Sequence, residues 1–147
     1  MLQLQELPVP DHRVQNKIIC PYCEQSALLM TSEEYYGQDY GTNLYVCRPC
    51  DARVGTHKNS TKPLGTLANS KLRDLRMKCH GSFDRIWKSK EMTRSKAYRW
   101  LQQQMGLSSQ EAHIGMFNEQ QCRKLLGILQ VKRINDLKAK AKQYQTN

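Results

Sequence analysis

Cys20-Pro21-Tyr22-Cys23 and Cys47-Arg48-Pro49-Cys50 are two CxxC knuckles separated by 23 residues, each with a proline inside it. A thiolate pair three apart on a tight turn grips one side of a tetrahedral zinc ion. Two such turns complete a four-sulfur shell with no open position. The spacing therefore predicts one structural zinc at Cys20, Cys23, Cys47 and Cys50, with no place for catalytic water. A thioredoxin-type redox pair would be a single CxxC opening a helix in a βαβ setting, and neither pair has that context. Cys79 and Cys122 fall on apolar helical faces and read as small core residues.

The second chemistry is charge. The formal net charge is +10, and it is unevenly placed. Residues 1–50 sum to −3 and residues 51–147 to +13. Between Lys71 and Arg99 stand ten basic and three acidic residues, too few carboxylates to pair them all. Lys71, Lys78 and Arg85 recur every seven residues, Arg73 and Arg76 run beside them, and Lys88, Arg94 and Arg99 carry the charge into the next segment. Phosphate polyanions suit such a surface, because neutralising them releases condensed counterions. Arginine also holds phosphate bidentately and stacks on bases. These eight residues are the candidate nucleic-acid contacts, against the alternative of solvated helix faces with Asp74 and Asp84 forming local ion pairs.

Tyr35, Tyr36 and Tyr40 punctuate an acidic, glycine-containing stretch with Glu33, Glu34 and Asp39. They offer stacking platforms for unpaired bases, a contact for a protein partner together with His57, or packing for the metal-held fold. The loop Gly55–Lys62, with His57, could meet phosphate through backbone amides, but it lacks the glycine spacing and Lys-Ser/Thr of a P-loop. A catalytic reading rests on His57, His80, Asp84 and His113 alone. No HExxH, GxSxG or paired-carboxylate motif is present, so a non-enzymatic protein is expected.

The elements that must position these groups follow from periodicity. Residues 1–16 read as an arm broken by Pro8 and Pro10. Ala27–Met30, Leu44–Val46 and Ala52–Gly55 read as short strands around the knuckles, with residues 33–41 as a hairpin tip. That is a zinc ribbon over 17–55, followed by a linker loop at 56–65. A small helical domain is expected over 66–130, with Leu72, Leu75, Cys79, Phe83, Ile86 and Trp87 on one buried stripe. Asn69 or Ser70, Thr93, Ser108 and Asn118 are candidate caps, and Gly81 marks a kink or close contact. The basic tail at 131–147 reads as frayed helix. The fold class is thus small α+β: a four-cysteine zinc ribbon of short antiparallel strands, then helices.

At 147 residues the chain suits one domain or a small metal-held module joined to a second. Mean hydropathy is −0.74 and no apolar run approaches a membrane span, so no membrane partner is expected. The start, Met1-Leu2-Gln3-Leu4-Gln5-Glu6, shows no charged region followed by an apolar stretch, and an intracellular protein is expected. Six cysteines in a secreted protein would permit three disulfides, but the CxxC spacing favours metal. Nothing in the sequence addresses oligomeric state.

Val54-Gly55-Thr56-His57, Pro63-Leu64-Gly65-Thr66-Leu67-Ala68 and Leu72-Arg73 lead on to His80, Phe83-Asp84 and Trp87. Ala97-Tyr98-Arg99-Trp100-Leu101, His113-Ile114-Gly115-Met116-Phe117 and Gln121-Cys122 complete a set that, with the double CxxC, resembles a family of small zinc-finger-containing proteins of bacteriophages and prophages. The resemblance covers residues 18–129 and supplies no activity. It implies a phage protein acting in the cytoplasm of an infected bacterium. Lys96 departs from the pattern, where an acidic residue would complete a capping box with Thr93. The expected function is non-catalytic nucleic-acid binding, with a protein that modulates a host polymerase, nuclease or defence complex as the alternative.

Overall fold

The computed structural model describes residues 18–146, so the arm expected at 1–16 lies outside the described residues. The chain divides into two compact units, with the boundary between Ser70 and Lys71.

In the first unit, three strands form an antiparallel sheet in the order β1-β2-β3: β1 (Leu28–Thr31), β2 (Asn43–Cys47) and β3 (Ala52–Gly55). Leu29 faces Tyr45 across the first pair, and Tyr45 faces Val54 across the second. The central strand is buried from Leu44 to Cys47, which suits its β-branched and aromatic run. Cys20, Tyr45, Cys47, Ala52 and Leu67 form the core, flanked by Ile18, Ala27, Leu29 and Val54.

Two parts of this unit differ from the sequence expectation. The stretch after β1 is not an open hairpin tip but a one-turn helix, α1 (Ser32–Tyr36). Thr31 caps it: the Glu34 N–H donates to Thr31 Oγ1 and the Thr31 N–H donates to Glu34 Oε1, at 3.0 and 2.8 Å. Gly37 ends it at φ 82°, in the left-handed region that glycine enters without a Cβ clash. Residues 56–65, expected as a linker, instead fold back on the sheet. Tyr45 Oη donates to the Thr61 carbonyl at 2.7 Å, and Asn43 Nδ2 donates to that of Ser60 at 2.9 Å. Ala68 then pairs with Arg53 in an isolated bridge, carrying the unit past the expected boundary.

The second unit is helical: α2 (Ser70–Lys88), α3 (Arg94–Met105), a 3-10 turn (Ile114–Met116) and α4 (Glu119–Thr146). Leu72, Leu75, Cys79, Phe83 and Ile86 are buried as the spacing predicts, with Ala97, Leu101, Phe117, Cys122 and Leu125, whereas Trp87, expected on the same stripe, is only half-buried at its edge. Three helix or turn starts use the expected residues. Thr93 Oγ1 accepts from the Lys96 N–H, without the reciprocal bond that lysine cannot make. Ser108 with Glu111, and Asn118 with Gln121, form reciprocal pairs.

Two expectations fail here. The tail is not frayed: α4 runs unbroken to Thr146. Extending an existing helix needs no new nucleus, and lysine, alanine and glutamine all favour it. Lys132, half-buried, adds an anchor by pairing with both Glu91 and Asp136. Gly81 marks neither a kink nor a close contact, because α2 passes through it unbroken and a Cβ there would meet nothing within 4 Å. No helix among the described residues is long and apolar enough to cross a membrane.

Gly81→Ala should therefore stabilise the protein by about 0.5–1 kcal/mol, measured by urea unfolding. Lys71 and then Arg123 hold the Glu119 carboxyl below its ordinary value. A carboxyl lowered in the folded state contributes stability above its unfolded pKa, and loses it as pH falls through the folded value. The stability gap between wild type and Glu119→Gln should be present at neutral pH and narrow as pH falls through the carboxylate range.

Candidate metal centre and basic surface

The two knuckles share a left-handed residue after the second cysteine but close with different hydrogen bonds. Cys23 is followed by Glu24 at φ 62°, and Cys50 by Asp51 at φ 50°, so both turns close through a left-handed residue. The Glu24 N–H donates to the Cys20 carbonyl at 2.8 Å, and the Asp51 N–H donates to the Arg48 carbonyl at 3.0 Å. These turns aim backbone N–H groups at sulfur: those of Tyr22 and Cys23 at Cys20, and that of Cys50 at Cys47. Tyr22 also ties its knuckle to the end of the unit, where its hydroxyl accepts from the Asn69 N–H at 3.0 Å.

The four sulfurs lie within 4.8 Å of one another, and Cys23 Sγ is 3.6 Å from Cys47 Sγ. A tetrahedral site with Zn–S bonds of about 2.3 Å has sulfur–sulfur edges of about 3.8 Å, so the cluster surrounds a volume of the right size. None of the four is in a disulfide, and two are buried and two half-buried. Cys20, Cys23, Cys47 and Cys50 hold one structural zinc ion. The shell is closed by protein sulfur, so the ion serves the fold and offers no coordination position to a substrate.

Without metal the four thiols compete. Burial pushes the Cys20 thiol up, but the N–H groups of Tyr22 and Cys23 and the thiols of Cys47 and Cys23 outweigh it and leave it lowered. Cys50 is pushed up to about 12, by burial first and then by the thiols of Cys23, Cys47 and Cys20. A divalent cation reverses that balance and displaces the remaining protons.

The three tyrosines gather on the same unit. Tyr35 and Tyr36 meet edge-on with ring centres 4.8 Å apart, and Tyr36 meets Tyr40 at 5.9 Å. Arg48, from inside the second knuckle, and Arg53, from β3, place their guanidinium carbons 5.2 and 5.7 Å from the Tyr35 ring centre. Tyr35 is half-buried, while Tyr36 and Tyr40 stay 51% and 55% exposed. His57 is exposed beside this sheet, its N–H donating to the Lys62 carbonyl at 3.0 Å.

The eight basic candidates on the helical unit do not behave alike. Arg76 is only 7% exposed, and its Nε donates to the Phe117 carbonyl at 2.9 Å. It braces the 3-10 turn from inside and is not offered to a ligand. Lys71 is paired with Glu119 at 3.1 Å, and Arg73 is half-buried. Lys78, Arg85, Lys88, Arg94 and Arg99 are exposed. Two of these converge on aromatics: Lys88 Nζ and the Arg94 guanidinium lie 5.6 and 5.5 Å from the Trp87 ring centre. Arg94 also lies 5.0 Å from Tyr98, whose ring packs edge-on against buried Phe83. Trp87 is fixed by its own Nε1, which donates to Asp84 at 3.2 Å. The charges here are visible in the sequence. The part played by Trp87 and Tyr98 was missed, though Arg94 and Tyr98 stand four apart on one helix.

Among the described residues the four cysteines are the one group of three or more Cys, His, Asp or Glu placed to share a metal ion. Residues 16–132 match a family described as a zinc-finger-containing domain, and the chain belongs to that family. No curated protein and no solved structure matches it.

Purified protein should carry one zinc equivalent, and cobalt substitution should give the absorption of a tetrahedral thiolate site. Chelation should erase amide protection in β2, and Cys47→Ser should do the same without a chelator. Because binding strips protons from thiols, the apparent zinc affinity should rise with pH across the neutral range.

Proposed function

We propose that this member of the zinc-finger-containing domain family is a non-catalytic nucleic-acid-binding protein, phage-encoded and acting in the cytoplasm of an infected bacterium. The observation that carries the reading is the cluster of Lys88 and Arg94 against Trp87 and Tyr98. Both cations are exposed and neither has a carboxylate partner among the described residues. A guanidinium preorganised on an aromatic ring keeps its N–H fork free for phosphate and loses less entropy on binding. Lys78, Arg85 and Arg99 extend positive charge along the outer faces of α2 and α3. Such a surface tracks a sugar–phosphate backbone, so affinity is mostly electrostatic and sequence selectivity low.

A second reading, docking on a host protein, is supported by Tyr36 and Tyr40 beside Glu33 on the ribbon, since exposed tyrosine is enriched at protein interfaces. A stoichiometric partner captured after nuclease treatment, and no longer captured by Tyr36→Ala/Tyr40→Ala, would favour it over the first.

Fluorescence anisotropy of zinc-loaded protein with single-stranded DNA, duplex DNA and RNA across a salt series tests the leading reading. Binding should weaken steeply with salt. Lys88→Glu/Arg94→Glu should flatten the log–log salt slope by about one for each phosphate no longer neutralised, with thermal unfolding unchanged. Indifferent binding that vanishes near physiological salt, in wild type and variant alike, would overturn it. Metal-dependent turnover abolished by His57→Ala or His80→Ala would overturn its non-catalytic part.

A further inference from the structure

Helix α4 outruns its core. Cys122, Leu125 and Leu129 are buried, and no residue after Leu129 is buried among those described. The remainder is nonetheless not uniformly polar: Leu137 is a large apolar side chain left 56% exposed. Against this segment the C-terminal end of α2 leaves a groove of about 570 Å³ within the helical unit. Its lining includes buried Ile86 and Leu129 and exposed Leu137, together with the basic side chains of Arg85, Arg133 and Lys140.

These basic charges are uncompensated. Glu91 and Asp136, the acidic residues lining the groove, are both engaged by Lys132. Arg85, Arg133 and Lys140 have no anionic partner among the described residues. Arg133 and Lys140 are seven residues apart, two turns of one helix, and so stack along the α4 axis with a separation of about 10.5 Å. Apolar lining is wasted on a phosphate backbone. A small anionic amphiphile would meet one of these charges and leave the second turn empty. A helix laid along α4 satisfies both, with apolar residues at three- and four-residue spacing into the groove and carboxylates at a seven-residue repeat against the basic side chains.

We propose that the groove between the end of α2 and the outer half of α4 docks an acidic amphipathic helix of a protein partner. The site does not include Lys88 or Arg94, though it shares Arg85 with the proposed nucleic-acid surface, and the proposal does not rest on the nucleic-acid reading.

The probe is a labelled synthetic peptide of leucine–glutamate heptads, titrated by anisotropy against the full zinc-loaded chain. Its control has the same composition in an order that destroys the heptad. The heptad peptide should bind saturably, at least about tenfold tighter than the control. Leu137→Asp, and separately Arg133→Glu/Lys140→Glu, should weaken it by about tenfold or more without shifting thermal unfolding, since all three side chains are exposed. The charge-reversed variant should bind the heptad peptide remade with lysine for glutamate. Failure of the peptide to bind, or equal binding of the control, overturns the proposal. So does loss of duplex DNA binding in Leu137→Asp, which would hand the groove to nucleic acid. Wild-type self-association abolished by Leu137→Asp in sedimentation would hand it to a second copy, and equally overturn it.

Discussion

Four sulfurs held within 4.8 Å of one another are the constraint on which the ribbon depends. Brought together without a cation they cannot all ionise, and as thiols they form a polar knot at the centre of a very small core. The buried cluster around the sulfurs has five members, two of them the ligands Cys20 and Cys47 themselves. Apolar burial on this scale does not offset the conformational entropy of the roughly fifty residues ordered around it. A structural zinc ion contributes about 10–16 kcal/mol and removes the repulsion at the same time. The metal therefore decides whether the sheet exists, and through it whether Arg48 and Arg53 reach Tyr35. The aromatic surface of the ribbon is a consequence of the metal centre, one strand removed.

The helical unit rests on different physics. Its core is apolar and contiguous along α2, α3 and the first part of α4, and its turns are closed by side-chain caps rather than by metal. Because packing supplies the stability, most of its cations are not needed for the fold and remain on the outside. Arg76 is the exception. Its burial is tolerated because the Phe117 carbonyl takes its N–H, and a carbonyl left alone at that depth would cost about 1–3 kcal/mol. The same charge count thus contains one structural arginine and several that face solvent.

Much of this was legible in the sequence. The ligands, the three strands around them, the buried stripe of α2 and the core positions of Cys79 and Cys122 follow from spacing alone, because short periodic contacts determine them. Some misses had visible signals. Thr31 and Glu34 stand in capping-box spacing ahead of α1, obscured by the tyrosines and glycines that follow. Arg76 sits four after Leu72 and three before Cys79, on the buried stripe itself. Others had none. Nothing local says that residues 56–65 return to the sheet, since that depends on Asn43 and Tyr45 far back in the chain. Nor does composition say that the tail stays helical, which depends on the helix it continues and on the pairing of Lys132 with Glu91.

By itself, then, the sequence determined the metal, its four ligands and the order of the elements, because CxxC turns and helical periodicity are encoded within a few residues. Only the tertiary structure decided which arginine is a brace and which is offered to solvent. It also decided where the ribbon ends, and that Leu137 on the outer half of α4 stands exposed in a groove with Arg85, Arg133 and Lys140. Those properties depend on which distant groups meet a side chain, and one-dimensional spacing does not contain them.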